Sequence, residues 1–236
     1  MKISDTLLFD LPTDAVVALF GYGAGRKAPA RFLDTLEKMR ELCFSLAQPR
    51  GTYAVYEIAE AKNDGVVMLG GREFSGKILS HVLSGSEMVA LSIVTIGDKV
   101  EKKASELAEG GDLLASIVLD ALGSLSLVGA SSSLMGDIFE NEAVPRGYSL
   151  TSPFGPGQCQ WDIKDQRTLF SLVRGESVGV ILSPSYLMIP KKSVSSLIGL
   201  GPKDAISRIT SCEVCNRKDC PGRKMLDLFG KSHEAR

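Results

Sequence analysis

The sequence predicts an α+β fold, and three observations predict it. Helical and extended periodicities are both present along the 236 residues but do not alternate regularly, which argues against a doubly wound parallel sheet. Two extended runs, TYAVYEIA (52–59) and GVVMLGG (65–71), are joined by the turn signal AKNDG and read as a hairpin. Late in the chain VGVILS, SYLMIP and SVSSLIGLG read as two or three strands, separated by Pro184 and Pro190.

Taken in order, the elements begin with helices over 12–20 and 29–47. In the second, Phe32, Leu36, Met39, Cys43 and Leu46 recur at helical spacing, which assigns Cys43 to the core. After the hairpin, FSGKILSHVLSG (74–85) reads as a short helix with Ser75 as N-cap and Gly85 as stop. His81 lies on it and is read as structural. EMVALSIVTIG (87–97) is the most apolar strand, and DKVEKKASELAEGG after it reads as an exposed helix with i,i+4 charge pairs. The longest helix starts near Asp112, with Leu114, Val118, Leu122, Leu125 and Gly129 on one face. Ser and Gly crowd its second half, where small residues let another backbone approach. The Gly/Pro-rich loop TSPFGPGQCQW then leads into a helix capped by Asp162.

Composition narrows the function classes. A hydrophobic share of 44% suits a chain with a real core, in one domain or one domain plus a small appendage. Lys+Arg 27 against Asp+Glu 28 leaves a net charge of -1, so neither nucleic acid nor an anionic membrane surface is an expected partner. Asp5, Asp10 and Asp14 interrupt the apolar N-terminal residues, which excludes a signal-peptide h-region and makes the expected location cytoplasmic. ALGSLSLVGASSSLMG (121–136) is too short and serine-rich for a bilayer span, which needs about 20 apolar residues. GYGAGR (21–26) has neither the Rossmann nor the P-loop spacing and reads as a helix stop and turn.

Cysteine usage is uneven. Three of five thiols, Cys212, Cys215 and Cys220, fall within SCEVCNRKDC near the C-terminus. An odd count in a reducing compartment argues against a disulfide framework. A C-x2-C pair with a third thiol close behind can hold one metal ion or cluster. Zinc lacks an obvious fourth ligand, because His233 lies far along the tail. An iron-sulfur cluster needs four thiolates, and Cys159 in its Gly/Pro-rich loop is a better placed fourth ligand than Cys43.

Residues 152–201 resemble the activation domain of cobalamin-dependent methionine synthase, in its short stand-alone form. The resemblance rests on Pro156-Gly157, the helix from Asp162, Val178-Gly179-Val180, Leu182, Ser185, Met188, Pro190 and Ser193-Val194-Ser195. FGYG, EFSGKIL, VTIGDKVE and LDALGS extend it upstream to about residue 15, and some stand-alone members also end in a cysteine cluster followed by arginine, here Arg223. It implies a twisted, largely antiparallel sheet with flanking helices over 1–205, followed by a Cys-rich tail over 206–236. It implies reactivation of an oxidised corrinoid, by reduction or reductive methylation. It further implies cobalamin presented by a methionine synthase or related corrinoid protein, S-adenosylmethionine as the methyl donor, and a further protein as the source of the electron. The cofactor-facing residues it suggests are Arg146, Pro156, Gly157, Cys159 and Trp161; the metal set is Cys159 with Cys212, Cys215 and Cys220. The family's arginine ahead of the Pro-Gly loop is replaced by Pro153, and the only carboxylate between Leu113 and Met135 is Asp120. The rival reading is a non-catalytic module that docks a corrinoid protein and carries a zinc-held tail.

Overall fold

The computed structural model describes residues 1–23, 25–62, 65–210 and 213. Its centre is an antiparallel sheet built from β1 (Lys2–Ser4), β2 (Arg50–Ala61), β3 (Val66–Leu69), β4 (Arg72–Ser75), β5 (Met88–Thr95), β6 (Tyr148–Leu150) and β9 (Ser193–Pro202). The order is β4-β3-β2-β5-β9-β6, with β1 added to the start of β2. The expected α+β class with a mostly antiparallel sheet and flanking helices is what the structure has.

Both faces of the sheet are covered, which explains why β5 is buried continuously from Val89 to Thr95 instead of alternating. Ala90, Val94 and Ile96 point to one face, into a core shared with α1 (Thr13–Leu19), α2 (Ala30–Leu46), α4 (Lys99–Glu109) and α5 (Leu113–Ile138). Val89, Leu91 and Ile93 point to the other, into a core closed by β3, β4, α3 (Leu79–Val82) and α6 (Asp165–Leu172). A small separate hairpin, β7 (Ile181–Leu182) with β8 (Met188–Ile189), precedes β9.

The long helix α5 starts where its sequence says: the Asp112 carboxylate accepts the Ala115 N–H at 3.2 Å. Leu113–Arg146 is helical and apolar enough to cross a membrane by length and composition, with mean hydropathy 1.9. In this fold its buried stripe, Val118, Leu119, Leu122 and Leu125, lies in the core against the sheet and α2. Its small residues are there for contact: a Cβ on Gly123 would stand 2.8 Å from Val100, and one on Gly129 2.6 Å from Phe9. Cys43 is buried as expected, its Sγ 3.4 Å from Ser126 Oγ, and burial pushes its thiol pKa up.

Two local expectations fail for tertiary reasons. Ser75 caps no helix: Phe74 and Ser75 belong to β4, with Phe74 wholly buried, and α3 begins only at Leu79. The helix expected from Asp162 begins at Asp165, and the Asp162 carboxylate instead accepts the Lys164 N–H at 2.9 Å in a turn. PRGYSL contributes an edge strand, β6, which its short length hid from periodicity. Around GYGAGR, Gly21 and Gly23 have positive φ and Gly23 pairs with Arg26, as a turn requires.

Candidate functional site

The Pro156-Gly157 loop is held by its neighbours on both sides. Upstream, the chain runs beside β9: the Thr151 N–H donates to Gly199 O at 2.9 Å, and Phe154 pairs with Leu197. Gly155 then passes so close to β9 that a Cβ there would lie 2.5 Å from Ser195 O. Inside the loop the Gln158 N–H donates to Gly155 O, the Gly157 N–H to Trp161 O and the Trp161 N–H to Gln158 O, at 3.1, 2.9 and 2.8 Å. The Gly155 N–H reaches Gln158 Oε1 at 3.2 Å, and the Ser195 hydroxyl donates to the buried Gln166 Oε1 at 2.9 Å. Cys159 and Gln160 both take left-handed φ, +47° and +67°, a conformation that costs non-glycine residues about 1–3 kcal/mol each.

Trp161 fastens this loop to β4. Its ring is 2% exposed, meets Phe74 edge-on at 6.1 Å and covers Gly76, where a Cβ would come within 2.7 Å of it. Its Nε1–H donates to Asp165 Oδ2 at 2.6 Å, and the same oxygen accepts the Ser75 N–H at 3.1 Å. The ring therefore presents no open face to a corrinoid: the structure uses it as core. Pro156 is buried, Gly157 exposed, and Cys159 half-buried against the same core.

Arg146 stands elsewhere. Tyr148 pairs with Pro202 whereas Gly155 abuts Ser195, so Arg146 and the Pro-Gly loop occupy opposite ends of β9. At about 3.3 Å per residue the separation is on the order of 20 Å. The Arg146 guanidinium donates to Glu142 O at 2.7 Å and lies 3.4 Å from Glu142 Oε2. Lys2 Nζ and the Tyr53 hydroxyl meet Glu142 Oε1 at 2.8 and 3.4 Å. That cluster fixes the N-terminal strand. Its hydrogen bond to Glu142 pushes the Lys2 ammonium pKa up, and burial pushes the Tyr53 phenol up.

Cys212, Cys215, Cys220 and His233 lie outside the described residues. Among the described residues no group of three or more His, Cys, Asp or Glu is placed to hold a metal ion. The chain stays against the body as far as Ser207, whose N–H donates to Ser84 O at 2.9 Å just after α3. Gly76, beneath Trp161, lies just before α3, so the exit toward the tail and the Cys159 loop flank one short helix.

Sequence reading missed Lys192. Its side chain is only 13% exposed and is bonded to Asp120 Oδ1 at 2.8 Å, Asp120 O at 3.0 Å and Ser124 Oγ at 2.8 Å. The backbone N–H groups of Lys191 and Lys192 also donate to Glu101 Oε2, at 2.9 and 3.3 Å. Only the register of β9 against α4 and α5 brings these groups together, and no local motif announces it.

No protein-family model matches the chain, and no curated protein matches it. Solved structures do. The crystal structure of the MetH reactivation domain bound to AdoHcy is 15% identical, with a TM-score of 0.53 over 73% of this chain. The match covers 65% of that structure's chain, so a third of it has no counterpart here. At such low identity the likeness speaks for architecture: this chain has the fold of the MetH reactivation domain, an α+β arrangement around a mostly antiparallel sheet.

Proposed function

We propose that this protein reactivates an oxidised corrinoid cofactor carried by a partner, a cobalamin-dependent methionine synthase or a related corrinoid methyltransferase protein, in the cytoplasm. The observation that carries the reading is the shared architecture with a domain whose work is reactivation, with the Pro156-Gly157 loop and Ser193-Val194-Ser195 brought against each other as one unit. The step is a one-electron reduction, Co(II) plus an electron giving Co(I), and the electron comes from a low-potential donor protein that is itself oxidised by one electron.

The residues assigned to S-adenosylmethionine do not fit it as a set. Arg146 is at the far end of β9 and is engaged by Glu142, Pro153 stands where an arginine would be needed, and Trp161 is core. Asp120 lies on the other side of the sheet, paired with Lys192. A ligand carrying a sulfonium and a carboxylate needs converging charges in a dry pocket, and these residues do not converge. The proposed step therefore runs without the methyl donor.

The cysteines supply the second element of the proposal. Cys212 follows Ser207 by five residues, a reach of up to about 17 Å when extended, and the Cys159 loop flanks the same helix. Cys159, Cys212, Cys215 and Cys220 would hold an iron-sulfur cluster, which supplies a one-electron store when bound. The test is anaerobic purification with iron, sulfide and zinc analysis, followed by a Cys212→Ser variant assayed for docking and reactivation. Iron with matching sulfide, and a variant that docks but fails to reactivate, support the proposal. Zinc in place of iron, with full activity in the variant, overturns the redox role of the tail; zinc with no reactivation by the wild type overturns the whole reading in favour of a docking module with a structural tail.

A further inference from the structure

A cleft of about 580 Å³ opens on the face of the sheet opposite the Pro156-Gly157 loop, within the roughly 300–1,000 Å³ range of small-molecule sites. The end of α1 supplies Leu19 and Phe20, α5 supplies Ile117 and Asp120, and Glu101 of α4 and Lys191, whose backbone N–H donates to Glu101 Oε2, complete the charged lining. Its floor is made of alanines from α4 and α5, whose small side chains leave the space open.

The charges lining the cleft sum to zero, but they are not all used. Lys192 directs its three ammonium protons to Asp120 Oδ1, Asp120 O and Ser124 Oγ and is saturated. Glu101 spends Oε2 on two backbone N–H groups. Among the described residues that leaves the Lys191 ammonium, Glu101 Oε1 and Asp120 Oδ2 with capacity, one cation and two anionic oxygens around an apolar wall that includes Ile117, 58% exposed. A neutral cleft with both signs open matches a ligand that carries both signs and is neutral overall.

We propose that this cleft binds an apolar α-amino acid, with Lys191 taking the carboxylate, Glu101 and Asp120 the ammonium, and Phe20 and Ile117 the side chain. The site is separate from the proposed reactivation and is measured without any corrinoid. The probe is L-leucine, titrated calorimetrically into the whole protein, with isovalerate and isoamylamine as ligands that each keep one charge. The expected dissociation constant is on the order of 0.1–1 mM, with each half-ligand about tenfold weaker or more. Lys191→Ala, whose side chain bears on no core contact, is expected to weaken L-leucine about tenfold while leaving isoamylamine unchanged. Ile117→Ser, which removes the apolar contact without adding charge, weakens both L-leucine and isoamylamine. Unchanged thermal midpoints in the two variants establish that they are folded. No saturable binding of L-leucine, or equal binding by the wild type and Lys191→Ala, overturns the proposal.

Discussion

Asp165 illustrates how one side chain carries several links of the argument. It sits in the first turn of α6, yet one of its oxygens serves both the Trp161 indole and the backbone of Ser75 on β4. Replacing it with alanine leaves a buried indole N–H without its acceptor, a loss of about 2–3 kcal/mol that a urea midpoint will read. The Lys2, Tyr53 and Glu142 cluster makes a pH prediction. The Lys2 pKa is raised above 10.5 and the Tyr53 pKa above 10.0, so protonation of both favours the folded state. Their contribution is complete below the unfolded values and is lost as pH rises through the folded ones. Stability should therefore hold to about pH 10 and fall beyond it, with a shallower fall in Tyr53→Phe, when denaturation midpoints are followed against pH. At this scale the sequence was legible for Cys43, whose helical spacing declared its burial. It was not for Trp161 or Lys192, whose partners are distant in the chain.

At the scale of elements, the strongest signals were those with long unbroken periods. The α2 stripe, the apolar β5 and the capped α5 were all readable, because burial on one or both faces dictates composition over many residues. Short elements were lost: β4 takes two residues that read as a helix start, β6 is only three residues long, and α6 starts late because Asp162 satisfies a turn instead. The crowding of small residues on α5 also predicts a mutational asymmetry. Gly129→Leu drives a side chain into Phe9 and should cost roughly 1–3 kcal/mol by overpacking, whereas Leu122→Ala opens a cavity and should cost about 2–5 kcal/mol. Thermal or urea denaturation of the two variants checks both values.

For the whole molecule, the architecture was foreseeable but the site was only partly so. The α+β class followed from irregular alternation of elements, and the order of strands could not, because register is set by contacts far apart in sequence. The residues of the 152–201 motif do fold into one unit of loop, helix and strand. Arg146 does not join them, since the intervening chain is extended along β9 and carries it to the far end of the strand. That separation is why the proposed reactivation relies on an electron donor and not on a bound methyl donor.

The most direct test mixes the whole protein with the cobalamin-binding part of a methionine synthase in its Co(II) state and a low-potential one-electron reductant, and follows the visible spectrum anaerobically. The account predicts that the protein accelerates appearance of the Co(I) spectrum, to the same extent with and without S-adenosylmethionine. Conversion that occurs only when S-adenosylmethionine is present, and yields methylcobalamin, would contradict it.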